Sequence, residues 1–328
     1  MRSDPAGKLL TYLPVLAAFL LLTLRPGSAS EAAAAGLETC LRAVIPALFP
    51  FLVLTSAILR LGIPKRVERF LGAPFERLFR IRRSALPVFL LGLAGGYPVG
   101  AAAAAESFRR GACSREEAER LVIFSNNCSP GFLLGLAGGQ ILGNRRAALF
   151  LLFLQWMVSV YMGWLLGFGC APSKRNDDLR ESPAPSPAEL LTGSVRDGGR
   201  TCLLICAYVV FFSVLASFLP ALPLLRGMLE MTGGLLLLGG DTLPKLMQAA
   251  FLLGFGGLSI ACQAAAAAQA GGLHSGRYLP LRLLHGLCMA FCTWCFLSGP
   301  GWIPVPFIFG AAVPFLMKRG GKKEKSVV

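Results

Sequence analysis

FLLGLAGGYPVGAAAAA, residues Phe89 to Ala105, is apolar enough to sit in a bilayer, yet Gly95-Gly96-Tyr97-Pro98 interrupts it near the middle. Glycine costs about 1 kcal/mol in a helix interior and proline about 3, so the helix is expected to break there. In lipid a broken helix frees backbone N–H and C=O groups, which persist only where protein or a water-filled cavity satisfies them. The chain then uses the device again. Phe251 to Ala267 reads FLLGFGGLSIACQAAAA, with Phe, Leu, Leu, Gly and the second glycine in register at a spacing of 251 − 89 = 162. The same spacing, without a gap, aligns Thr39-Cys40-Leu41 with Thr201-Cys202-Leu203, Glu68 with Glu230, Gly72 with Gly234 and Arg120 with Arg282. Two halves that each carry an interrupted apolar segment at the same place point to a transporter site between them.

Composition sets the environment. The 328 residues are 55% hydrophobic and 15% charged, with a mean hydropathy of +0.63. Several apolar runs near 20 residues make this a polytopic helical membrane protein. The formal net charge of +15 sits in short segments beside apolar runs, where it sets topology and meets anionic membrane lipid; no nucleic-acid partner is expected. The ten cysteines lie mostly inside apolar runs and read as packing residues rather than a disulfide framework.

The expected organisation is a transmembrane anchor over 1–37, a first repeat over 38–170, a hydrophilic linker over 171–199, a second repeat over 200–317 and a basic tail over 318–328. In the anchor, Lys8 to Leu24 is an apolar run. Its Ser28-Ala29-Ser30 exit could be a cleavage site, but an uncleaved span suits a multispan chain better. Arg42 to Leu59 is the next span, with Pro46 and Pro50 as kinks. Pro64 to Arg83 alternates apolar residues with Arg66, Arg69, Arg77, Arg80 and Arg82, a basic amphipathic segment for an anionic surface. Leu121 to Gly139 is a second interrupted span and Ala147 to Gly169 a plain one. After the linker come spans at Thr201 to Leu219 and Leu281 to Leu297, with Trp302 to Met317 beyond. Leu224 to Gly240, the counterpart of the amphipathic segment, carries only Arg226 and Lys245 near its ends. The positive-inside rule then puts the two segments on opposite faces, so the fold class is all-α with an inverted repeat, re-entrant hairpins and broken helices. The scheme places Lys318 to Lys325 on the side its charge disfavours, unless the proline-interrupted Trp302 to Met317 does not cross.

Ser125-Asn126-Asn127-Cys128-Ser129-Pro130-Gly131 is the most specific polar cluster. Amides and hydroxyls in mid-span are costly to bury unpaired. Beside a Pro-Gly break they read as substrate-binding groups for Ser125, Asn126, Asn127 and Ser129, and a half-helix N-terminus favours a carboxylate guest. The plainer reading is helix–helix hydrogen bonding. Gly95, Gly96, Tyr97, Pro98 and Gly100 read as a hairpin tip, or, with Gly92, as a small-residue packing face. Gly257, Ser259 and Gln263 offer the equivalent groups in the second half, where Cys288 and Met289 replace the Asn pair. His285, Cys288, Cys292 and Cys295 share a helical stripe that falls short of a metal set. Arg120 and Arg282 open equivalent helices, with snorkelling to the interface as the default and carboxylate binding as the alternative. No phosphate loop, Ser/His/Asp set or catalytic carboxylate pair is present, so an enzyme is not expected, nor a cofactor; the coupling ion is open.

FLLGLAGGYPVGA followed by FSNNCSPGFLLG resembles the YlbJ (SpoVV) sporulation integral membrane protein family of endospore-forming bacteria. That family belongs to the nucleoside-recognition, or Gate, group related to concentrative nucleoside transporters. The resemblance covers nearly the whole chain beyond the first span. It implies two Gate-type repeats, paired hairpins and broken helices around a mid-membrane site, and movement of dipicolinic acid across the outer forespore membrane. The Gly95 to Gly100 tip and the Ser125 to Ser129 cluster would form that site. The alternatives are a nucleoside or polar-metabolite transporter, and a non-transporting component of a sporulation membrane complex; self-association or partners among sporulation membrane proteins stay open.

Overall fold

The computed structural model describes residues 5–61, 63–170 and 186–298. Trp302 to Met317, the basic tail and most of the linker lie outside these. Within them all regular structure is helical. The first half holds α1 (Pro5–Leu24), α2 (Pro26–Thr39), a π-helical turn (Cys40–Val44), α3 (Ile45–Arg60), α4 (Ile63–Phe79), α5 (Leu86–Gly95), α6 (Val99–Arg109), α7 (Arg115–Ser125), a π-helical segment (Phe132–Ile141) and α8 (Arg145–Gly167). The second half holds α9 (Pro187–Ser217), α10 (Pro223–Leu229), α11 (Met231–Leu236), α12 (Leu243–Phe255), α13 (Gly257–Ala270) and α14 (Tyr278–Ser298).

Five of the described segments are long and apolar enough to cross a membrane: Pro26–Ile58, Arg145–Gly167, Pro187–Ser217, Leu243–Ala270 and Tyr278–Ser298. Large apolar side chains such as Phe19, Phe153, Leu203, Phe211 and Phe296 stand exposed along these and neighbouring helices. An aqueous surface would not tolerate so many, and hydrocarbon supplies their environment. The chain is an integral membrane protein.

Three boundaries differ from expectation. α2, which holds Ser28-Ala29-Ser30, runs through the π turn into α3 as one apolar segment, Pro26–Ile58, where the anchor was expected to end at 37 and the next span to begin at Arg42. The second half of the expected linker is helical: α9 begins at Pro187 with a capping box in which Ser186 Oγ accepts from Glu189 N and Glu189 accepts from Ser186 N. Leu224 to Gly240 is two short helices meeting at Glu230, where a single segment was expected.

Neighbouring broken helices pack through small residues and rings. Between α4, α5 and α7, Phe79 lies 4.9 Å from Phe75, 5.3 Å from Phe89 and 5.1 Å from Phe124. Such ring pairs add about 0.5–1.5 kcal/mol each beyond area burial. In the second half α12 lies along α14, with Gly254 and Gly286 at the contact. The two hairpins, α5–α6 and α12–α13, meet through α6 and α13, so the interrupted segments of both halves share one interior.

Candidate functional site

The first hairpin turns at Gly96, whose φ of +81° lies where L side chains are strained. A Cβ there would also stand 2.7 Å from Ser129 Cβ. Lower in the hairpin, a Cβ at Gly92 would fall 1.8 Å from the Ser125 carbonyl oxygen. The two sequence readings of these glycines therefore both apply: Gly96 makes the tip, while Gly92 and Gly100 pack on the backbone of the unwound stretch. Tyr97 and Pro98 follow the tip and lead into α6.

Residues 126–129 leave the helix between α7 and the π-helical segment. Helix resumes at Pro130, and Ser129 Oγ accepts from Phe132 N at 3.2 Å. The freed groups find partners on other helices. Asn126 Nδ2 donates to Tyr278 Oη at 2.7 Å, Ser159 Oγ to Asn127 Oδ1 at 2.8 Å, and Gln155 Nε2 to the Cys128 carbonyl at 2.9 Å. Asn127 Nδ2 closes back on the Phe124 carbonyl. Both asparagines are fully buried.

Arg282 lies beside them, with a relative exposure of 0%. Its Nη2 donates to Tyr97 Oη; its Nη1 lies 3.0 Å from His285 Nδ1 and 3.5 Å from both Asn127 Oδ1 and the Ile123 carbonyl. The guanidinium sits 5.4 Å from the Tyr97 ring centroid. Tyr97 Oη donates in turn to the Leu253 carbonyl at 2.9 Å. Ile123 is in the last turn of α7, so the negative end of that helix dipole faces this cation, and Leu253, in the last turn of α12, holds the tyrosine that Arg282 contacts. No described carboxylate pairs with it, and its Nε has no hydrogen-bond partner, nor has His285 Nε2. Arg120, for which snorkelling to the interface was the default reading from sequence, donates to the Phe79 and Arg80 carbonyls at the end of α4. Arg282, with no exposure, does not snorkel.

Beside Tyr97, between the halves, lies a cavity of about 30 Å³. Its polar lining is Tyr97, Ser129, Glu230, Thr232, Ser259 and Gln263, with Val44, Leu48, Phe132, Ile205 and Val209 among the apolar walls. The second hairpin contributes through a break at Gly256 and Gly257, both at positive φ. Glu230 is 4% exposed and caps α11, accepting from Thr232 N at 3.0 Å and Gly233 N at 2.6 Å. Gln263 Nε2 donates weakly to Ser259 Oγ at 3.4 Å, and Gln263 Oε1 has no partner.

Of the residues singled out from sequence, Tyr97, Ser129, Ser259 and Gln263 line the cavity, while Asn126 and Asn127 face the Arg282 cluster instead. Gly95, Gly96, Pro98, Gly100, Ser125 and Gly257 shape the backbone around it. Ser125 Oγ turns back to the Leu121 carbonyl at 2.6 Å. Sequence reasoning passed over Glu230, noticed only as the partner of Glu68 in the repeat. The signal was there: one acid stands alone in LLRGMLEMTGGLLLL, and an intramembrane ionisable residue marks function by default. Gln155, Ser159 and Tyr278 carried no comparable signal, because each is one polar residue in an ordinary span. No three His, Cys, Asp or Glu side chains gather into a metal-holding group among the described residues.

The chain is similar to the sporulation integral membrane protein YlbJ of Bacillus subtilis (strain 168), with 26% identity over 327 residues, covering 83% of this chain and 79% of the relative. No family model matches it. No solved structure matches it either.

Proposed function

We propose that the protein is a membrane transporter or facilitator of a small organic anion, with dipicolinic acid as the substrate, moved across the outer forespore membrane during sporulation. The observation that carries the reading is Arg282, a guanidinium with no exposure and no described carboxylate beside it. A buried cation without a counter-charge is costly, and such a residue within a membrane protein is a functional group by default. Next to it a cavity lies between two interrupted hairpins, the arrangement that secondary transporters use. At about 30 Å³ that cavity holds about one water molecule, so a pyridine dicarboxylate enters only when the hairpins part. The sporulation setting comes from the similarity to YlbJ.

What supports inverted, Gate-type repeats is the recurrence of a broken hairpin followed by a buried helix in each half. A second support is the asymmetry of charge. Arg66, Arg69, Arg77 and Arg80 are exposed along and just beyond α4, whereas Arg226 of α10 turns its guanidinium to the Leu219 carbonyl. On this reading the α5–α6 hairpin is re-entrant and no catalysis is involved.

The test is uptake of labelled dipicolinate into vesicles carrying wild type or Asn127→Ala, compared at matched membrane levels. Asn127 joins Ser159, the Phe124 carbonyl and Arg282, and alanine strands those groups at a cost of about 1–3 kcal/mol. Uptake by wild type with little by the variant is expected. Equal uptake by both would remove the Asn cluster from the pathway. No uptake by either would favour a non-transporting component of a membrane complex.

A further inference from the structure

Glu230 is the one carboxylate in the cavity lining, and the reading above puts an anion beside it. Both of its oxygens accept backbone N–H groups, from Thr232 and Gly233. No described cation pairs with it. Arg226, on the helix before it, is engaged by the Leu219 carbonyl, and Lys245 on α12 by the Gly239 carbonyl. Cys40 of the π turn is near it, with Cys202 and Cys206 of α9 beside Cys40; Tyr97 and Cys128 belong to the same cavity lining, and Cys262 of α13 is exposed. None of these carries a positive charge. Arg282 touches Tyr97 but is not part of the cavity lining. An anion that enters therefore meets Glu230 in a site with little water, where an ionised carboxylate would repel it strongly and burial favours the neutral carboxyl. A metal cation would relieve the repulsion but would face the two N–H donors that already hold the carboxylate.

We propose that Glu230 is the coupling site: its carboxylate takes up one proton from the aqueous side as the anion enters, and returns that proton to the opposite side when the anion leaves. The protonated carboxyl gains a donor, and Gln263 Oε1, buried at 2% exposure and unpartnered, is an acceptor in the same lining. Anion and proton then move in the same direction. This inference rests on the transport reading and adds the driving ion.

The experiment uses the purified full chain in liposomes above neutral pH, where dipicolinate is fully ionised, with membrane potential clamped. A gradient of one pH unit, acid on the side of entry, is expected to raise steady-state accumulation about tenfold, the factor one coupled proton supplies. Substrate should also drive proton uptake from the medium. In Glu230→Gln the ratio of accumulation with and without the gradient should fall from about ten to about one, a ratio independent of absolute rate. A wild-type ratio near one, a sodium gradient acting in place of protons, or a glutamine variant with its ratio intact would each overturn the proposal while leaving the transport reading standing. If the glutamine variant accumulates nothing, Glu230→Asp, which keeps the carboxyl, should restore gradient-driven uptake; failure to restore it overturns the proposal. No uptake by wild type overturns the transport reading, and the coupling with it.

Discussion

Arg282 enters α14 in its second turn and ends with its guanidinium shared among Tyr97, Asn127 and His285. Lysine keeps the charge and has three N–H donors, but they radiate from one nitrogen, so it cannot reproduce the planar spread by which Nη2 reaches Tyr97 while Nη1 faces His285 and Asn127. Arg282→Lys is expected to cost about 1.5–3 kcal/mol, the range for hydrogen bonds to a charged group, and to abolish anion uptake. Thermal unfolding in detergent and vesicle uptake read the two effects separately; a stable variant with normal uptake would show that the guanidinium is replaceable filler. The position of Arg282 near the start of its helix made snorkelling the natural sequence reading. What overturns it is not local: the ends of α7 and α12, from both halves, close around the side chain. Asn126 and Asn127 were legible as buried polar groups from their Pro-Gly neighbours. Their partners Tyr278 and Ser159 lie 152 and 32 residues away, and no spacing rule reaches those.

Each hairpin is held as an element by how closely it can approach the unwound stretch beside it. Gly92→Ala puts a methyl group 1.8 Å from the Ser125 carbonyl oxygen, and that oxygen belongs to backbone wedged against Gly100 as well. Overpacking of this kind costs about 1–3 kcal/mol and more where backbone must shift, so the variant should lose stability or fail to accumulate in membranes. Gly199→Ala in α9 is the matched control. Nothing lies within 4 Å of a Cβ there, and the change should be neutral or stabilising by up to about 1 kcal/mol. Unfolding midpoints in detergent compare the pair; equal midpoints would refute the packing argument. The breaks were legible because Gly-Gly-Tyr-Pro and Asn-Asn-Cys-Ser-Pro-Gly interrupt apolar runs. The start of α9 was not, although Ser186-Pro187-Ala188-Glu189 spells a capping box. Its polar first turns leave the apolar run, and composition outweighed the cap.

Across the whole molecule the halves are fastened at several places besides the Arg282 cluster: Ser56 and Arg60 of α3 both hold Asp197 of α9, and two further clasps join the halves elsewhere. In one, Arg115 Nη1 donates to the Gly272 carbonyl at 2.6 Å and His274 N to Glu119 Oε1 at 3.0 Å. In the other, Asn144 Nδ2 donates to Asp241 Oδ2 at 2.7 Å and Gly240 N to the Ile141 carbonyl at 3.1 Å. The repeat at a spacing of 162 residues told that two halves exist, but these clasps join residues that are not repeat partners, so the sequence periodicity could not locate them. A cavity of about 30 Å³ must enlarge roughly tenfold to reach the usual size of a ligand site, and that enlargement has to come from parting the halves. If the Arg115–Glu119 clasp is the end that opens, tying it shut stops transport. Glu119→Cys combined with His274→Cys, both at partly or fully exposed positions, and bridged through disulfides by a short bis-methanethiosulfonate reagent, which releases two sulfinates, should block dipicolinate uptake until the bridge is reduced, while each single cysteine leaves uptake intact. Uptake that continues through the bridged protein would show that this clasp stays closed during transport and would place the opening at one of the other fastenings.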